Sequence, residues 1–203
     1  MTGLTVRRIA DGLWLWQVPD PSRPDGHVTS LYFEAPEHMV LVDPILPGAS
    51  TANRTRVLKA LDDDLRRVAR PLVIVATTPA ESGDAAFLAD RFGAAVYRQP
   101  VPGGQEIVPG VGAVPATQNR QGNRIVTIVA QRAVFCGDIL QGVGDGVLGW
   151  GPHPLHHHER TSVIDRLVDL APTAVIVSRG ESILFGGLEA LRSLLRLTGQ
   201  EFV

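Results

Sequence analysis

Residues 72–97, LVIVATTPAESGDAAFLADRFGAAVY, decide how the rest of the chain is read. Leu72 to Val75 form an apolar run of strand length bounded by turn-type residues, and a polar loop follows it. Ala85, Leu88, Ala89 and Phe92 then recur at helical spacing, and a second short β-rich run closes on Tyr97. The order is strand, loop, helix, strand. In open α/β sheets, ligands bind where a loop leaves the carboxyl end of a strand. Ala76 to Gly83 is therefore the first place to look for chemistry.

Toward the amino terminus the chain reads as strands. A short strand from Val6, a turn at Asp11-Gly12 and a second strand over 13–18, carrying Trp14 and Trp16, lead into PDPSRPDG at 19–26. Its Pro, Asp, Ser and Gly favour a loop over a ladder. Residues 28–35 and 39–42 form a predicted hairpin around Pro36 and Glu37, and MVLVDP places Asp43 at a strand end. Asp43 has two readings: it braces the loop there, or it stands behind a metal site. Residues 51–70 are a predicted helix. Val57, Leu58, Leu61, Leu65 and Val68 make its apolar stripe, and arginines with Asp62, Asp63 and Asp64 its solvated face.

Toward the carboxyl terminus, residues 99–112 are a Pro/Gly-rich connection with no helical pattern and little room for a strand. From Ala113 a second set of strands is expected, with β-rich runs at 124–130 and 133–136 around a turn at Gln131-Arg132. Residues 141–151 contain five glycines and read as a flexible loop running into GPHPLHHHERTS. A helix over 159–170, stopped by Pro172, a buried-type strand over 174–177 and a final helix over 187–198 complete the chain.

Two hundred and three residues suffice for one domain, 1–203, with a core that needs no staples. Hydrophobic residues make up 44% and charged residues 20%, the balance of an ordinary globular protein. A formal charge of −2 speaks against nucleic-acid or anionic-membrane partners, which favour a basic surface. The single cysteine, Cys136, can form no internal disulfide, so a reducing cytoplasm is the expected compartment. Neither a secretory-type stretch near Met1 nor an apolar run long enough to span a bilayer is present.

The quoted stretch resembles the signature region of the metallo-β-lactamase-fold hydrolases, in which a strand ends in Thr-His-x-His-x-Asp-His before a Gly-containing turn and a helix. Residues 82–97 follow that pattern. The ligand positions fall on Ala76, Thr78, Ala80 and Glu81, and of these only Glu81 can bind a metal. MVLVDP resembles the family's strand ending in Asp, although Ile45 stands where the family usually has Gly. PATQNRQGNRIVTIVAQRAVFCGDIL resembles its second ligand block, with Asn119 at the turn histidine and Gly137-Asp138 matching Gly-Asp. Ser178-Arg179-Gly180 lies where the family has Gly-His-Gly, which puts Arg179 at the last ligand position.

The resemblance implies a four-layer αββα sandwich of two mixed sheets flanked by helices, and descent from hydrolases of thioesters, lactams, lactones or phosphoesters. With those substitutions it implies a member without the di-metal centre, a binding or regulatory protein for an unknown small molecule or protein, with no cofactor. Thr78, Glu81, Asn119, Asp138 and Arg179 are its candidate ligand contacts. Arg179, a permanent cation that cannot ligate a metal, is expected to pair with Asp138 or Glu81. The alternative is a hydrolase with a rebuilt site. Glu81 and Asp138 would be its catalytic candidates, holding zinc or iron together with one or two of His153, His156 and His158, or Glu81 would act as general base without a metal. Two readings of the histidine cluster stay open, a metal site or solvent-exposed side chains at a helix start. Asp138 likewise serves a metal or bonds loop amides.

Overall fold

The computed structural model describes the chain apart from residues 1–2, 21–22, 24–25, 50, 79–82, 99–105, 117–122, 153–154 and 201–203. β1 (Thr5–Ala10) and β2 (Leu13–Pro19) fold back on each other at Asp11-Gly12, where Gly12 takes the left-handed φ of +69° that a tight turn requires. β3 (His27–Glu34) and β4 (Met39–Val42) continue the antiparallel meander. α1 (Ala52–Val68) then carries the chain to β5 (Leu72–Val75), and α2 (Ala85–Phe92) carries it to β6 (Ala95–Tyr97). Both crossovers join parallel pairs, and the first sheet runs β1-β2-β3-β4-β5-β6.

The second sheet takes β7 (Glu106–Val108), β8 (Val111–Pro115), β9 (Arg124–Ile128) and β10 (Ala133–Phe135). After the hairpin of β11 (Leu140–Gly144) and β12 (Val147–Trp150), α3 (His157–Asp169) returns the chain to β13 (Ala174–Ile176). β13 pairs parallel with β10, giving the order β13-β10-β9-β8-β7, and α4 (Gly187–Gln200) closes the fold.

Alternating side chains decide the layering. On β2 and β3, Leu13, Leu15, Leu31 and Phe33 point into a core shared with Val126, Ile128 and Phe135 of the second sheet. Trp16, Val18 and Tyr32, on the opposite face, pack with Val57 and Leu61 of α1 and Leu88 of α2. Ile125 and Val134 face outward in the same way, against Val163, Ile164 and Leu167 of α3 and Leu191 of α4. The result is an αββα sandwich. Each such buried aliphatic or aromatic side chain contributes roughly 1.5–3 kcal/mol relative to exposure, so the three apolar layers hold the sheets in register. No described helix is long and apolar enough to cross a membrane.

Two expectations need correction. Residues 141–151 lie mostly within the β11–β12 hairpin, not a flexible loop. Its glycines permit close backbone approach: a Cβ at Gly142 would overlap the backbone of Glu181, and one at Gly151 would overlap Asp138. Within 99–112 a strand does form, because β7 is a three-residue edge strand with an irregular register, too short to show a period.

The turn after β13 depends on the same close approach. Gly180 has φ +77°, and a Cβ there would overlap the carbonyl of Gly142, whose N–H donates to the Arg179 carbonyl at 3.0 Å. Gly180→Ala is expected to lose about 1–3 kcal/mol from backbone conformation alone, and more from the overlap. Gly146→Ala, also at positive φ but with open space around it, should lose only the first part. Urea unfolding of the two variants measures the difference.

Candidate functional site

The parallel pairs β4–β5 and β10–β13 bring the carboxyl ends of their strands to one end of the sandwich. Main-chain bonds stitch the two sheets together there. The Thr29 N–H donates to the Ser178 carbonyl at 2.8 Å, and the Arg124 N–H to the Thr77 carbonyl at 2.9 Å. Gly137, at φ +55°, lies against Thr77 so closely that a Cβ would stand 2.5 Å from its Oγ1.

Asp43 follows β4 in a left-handed conformation, φ +42°, and is buried. Its carboxylate accepts the Thr77 N–H at 2.8 Å and also the Thr77 hydroxyl. Its carbonyl accepts the Ser30 hydroxyl at 2.8 Å, and Ser30 Oγ in turn accepts the Ile45 N–H at 2.9 Å. Of the two readings of Asp43, bracing is the one these bonds describe: it fixes the loop after β5. Burial pushes its carboxyl up to about 6, the Thr77 bonds hold it down, and the charges of Asp138 and Arg124 pull in opposite directions.

Arg179 follows β13. Its Nη1 donates to Asp20 Oδ2 at 2.5 Å, and its Nε stands 3.4 Å from Asp138 Oδ1, a charge contact without hydrogen-bond alignment. The expected pairing with Asp138 is therefore present, but the shorter bond goes to Asp20, which the sequence places inside a loop. Asp20, at the end of β2, has a side chain only 3% exposed. Beside Arg179 opens a cleft of about 480 Å³ bounded by Arg7, Gln17, Asp20, Arg23, Gln141 and Glu181.

Arg124, the first residue of β9, is a second site residue that sequence reasoning missed. It is 1% exposed, and its Nε, Nη1 and Nη2 have no hydrogen-bond partner among the described residues. Burial lowers its pKa and the charge of Asp43 opposes that shift. The sequence does carry a signal for it: Arg124 shares the inward face of an alternating strand with Val126 and Ile128.

Of the other candidates, Thr78 is half-buried just beyond β5, while Glu81, Asn119 and His153 lie outside the described residues. His156 precedes α3, and its N–H donates to the Glu159 carboxylate at 2.8 Å. His156 and His158 have nearly parallel rings with centroids 5.9 Å apart. Stacked imidazoles do not converge on one ion, and no group of three His, Cys, Asp or Glu able to hold a metal exists among the described residues. The donors described at the strand ends, Asp138 beside a guanidinium and Asp43 bonded to Thr77, do not fit a zinc or iron centre.

No protein-family model matches the sequence, and no curated protein does. Solved structures match along the whole chain. VMB-1 superposes with a TM-score of 0.73 at 11% identity, covering 100% of each chain. The metallo-β-lactamase FIM-1 from Pseudomonas aeruginosa, in its mono-zinc form, gives 0.66 at 17% identity over 98% of this chain and 96% of its own. A metallo-β-lactamase family protein from Thermus thermophilus gives 0.64 at 15% identity, over 95% and 81%. The chain has the metallo-β-lactamase fold. At these identities likeness extends to the fold alone, and chemistry must be read from the residues.

The raised carboxyl of Asp43 has a signed consequence. Between its ordinary value of 3.8 and about 6 the folded state binds more protons than the unfolded chain. The stabilisation is therefore complete below the first value and lost as pH rises through the second. Asp43→Asn keeps an acceptor for the Thr77 N–H and removes the titration. Its stability relative to wild type should rise from about pH 4 to about pH 7, by about 3 kcal/mol at most. Urea unfolding at a series of pH values checks the sign.

Proposed function

We propose that this chain is a metallo-β-lactamase-fold protein that has lost the di-metal centre and works as a non-catalytic binding or regulatory protein. The observation that carries this reading is the contact of Arg179 with Asp138. Asp138 is the one position that keeps the residue of the family's ligand set, and a guanidinium stands 3.4 Å from it. A guanidinium has no lone pair to give a metal and never loses its charge, so it opposes a divalent ion at that carboxylate. Ala76 and Thr78 offer no imidazole either, and hydrolysis in this fold by metal-activated water needs several donors around one point.

On this reading Thr78, Glu81, Asn119, Asp138 and Arg179 contact a small molecule or protein, and no zinc, iron or other cofactor is resident. The formal charge of −2 supports a partner other than nucleic acid or membrane. A reducing cytoplasm is the compartment this reading carries over from the single cysteine, Cys136, which can form no internal disulfide.

Protein made without a tag, in medium supplied with zinc, iron and manganese, is expected to hold well under one equivalent of any of them after dialysis. Elemental analysis decides. One or two tightly held ions per chain would overturn the proposal and favour a hydrolase rebuilt around Glu81, Asp138 and the histidines 153, 156 and 158.

A further inference from the structure

An arginine on the inward face of an edge strand points toward the core but ends in the space beyond it, and β1 carries one. Arg7 stands opposite Leu15 of β2, whose side chain belongs to the core between the sheets, so both point to the same side. Where that core ends, the cleft of about 480 Å³ beside Arg179 opens, and Arg7 lines it together with Leu15 and Leu184. A second arginine reaches the same cleft from the loop after β2. There the Asp20 N–H donates to the Gly26 carbonyl at 2.8 Å, the Arg23 N–H to the Asp20 carbonyl at 3.1 Å and the Gly26 N–H to the Arg23 carbonyl at 3.0 Å. A Cβ at Gly26 would stand 2.9 Å from that of Arg23. The turn is closed on itself, and it holds Arg23 at the cleft.

The charges around this cleft do not cancel. Arg179 and Asp20 offset each other through their ion pair. This leaves Arg7 and Arg23 against Glu181, and none of the three has an ion pair or side-chain hydrogen bond among the described residues. On a formal count the balance is one positive charge, in a chain whose formal charge is −2. Surface arginines are ordinarily dispersed and solvated, whereas two that share one concavity repel each other until an anion lies between them. A carboxylate supplies two acceptor oxygens for guanidinium donors and a single matching charge. A phosphate dianion would leave excess negative charge facing Glu181. Leu15 and Leu184 suit a short apolar body next to the carboxylate.

We propose that this cleft is the ligand site, and that it takes a small organic acid whose carboxylate lies between Arg7 and Arg23. The proposal rests on the binding-protein reading above, adds these two arginines to its contacts and names the ligand's chemical class.

Benzoate and benzylamine share an aromatic body and differ in the sign of their charge. They serve as probes for wild type and for Arg7→Met, Arg23→Met and Glu181→Gln. In wild type labelled with 13C at the leucine methyls, benzoate should shift the resonances of Leu15 and Leu184 saturably, and benzylamine should leave them in place. Each arginine substitution should weaken benzoate by about fivefold or more, and Glu181→Gln should tighten it by about twofold or more. All three side chains belong to exposed residues, so the variants should keep the wild-type methyl spectrum away from the cleft.

Benzoate that moves neither leucine, or benzylamine that moves them as strongly, would overturn the site, and that comparison needs no variant. Affinities for benzoate that the three substitutions leave unchanged would overturn it as well. Metal analysis of the same wild-type sample keeps the two failures apart. Bound metal sinks the binding-protein reading, whereas indifference to benzoate without metal sinks only the organic-acid site.

Discussion

The end of the sandwich that carries the candidate site depends on one cation. Arg179 leaves β13 in the second sheet and donates to Asp20 at the end of β2 in the first, while its Nε reaches toward Asp138 at the end of β10. Three strand ends from two sheets are thus held around one guanidinium. A carboxylate as enclosed as Asp20 needs a cation or donors close by, because its hydration has been stripped away. Unlike a metal ion, the guanidinium is covalently part of the chain and offers no empty coordination position. It can hold these carboxylates without activating a water.

Around that cation the backbone is arranged with little slack. The Asp43 carboxylate fixes the start of the loop after β5 through Thr77, and Thr77 in turn lies against Gly137. Gly180 and Gly142 bring the β11 hairpin onto the turn that presents Arg179. Larger residues at any of these glycines would push the strand ends apart. A site built this way is preorganised by steric contact and hydrogen bonds, which suits recognition of a ligand.

Much of this fold was legible in the sequence, for reasons that are local. The strand-length β-rich runs over 13–18 and 28–35 report strands, and the helical stripe from Val57 to Val68 reports a buried helix face, directly. Strand, crossover helix and strand over 72–97 then imply parallel pairing. The site was legible only at recognisable strand ends, where Asp138 keeps the residue of the resembled family and Arg179 replaces its histidine. Asp20 was hidden because its importance comes from a partner 159 positions away, and nothing in PDPSRPDG distinguishes a buried aspartate from a solvated one. Glycines at 142 and 151 mislead because flexibility and close packing leave the same composition.

The central claim is that the Arg179 guanidinium holds together the strand ends that carry Asp20 and Asp138. Double-mutant cycles test it most directly, combining Arg179→Met with Asp20→Asn and, separately, with Asp138→Asn, each followed by urea unfolding. The account predicts a coupling of about 2 kcal/mol or more between Arg179 and Asp20, and a smaller one of about 0.5–1 kcal/mol between Arg179 and Asp138. Single losses that add to within about 0.5 kcal/mol in both cycles would contradict it.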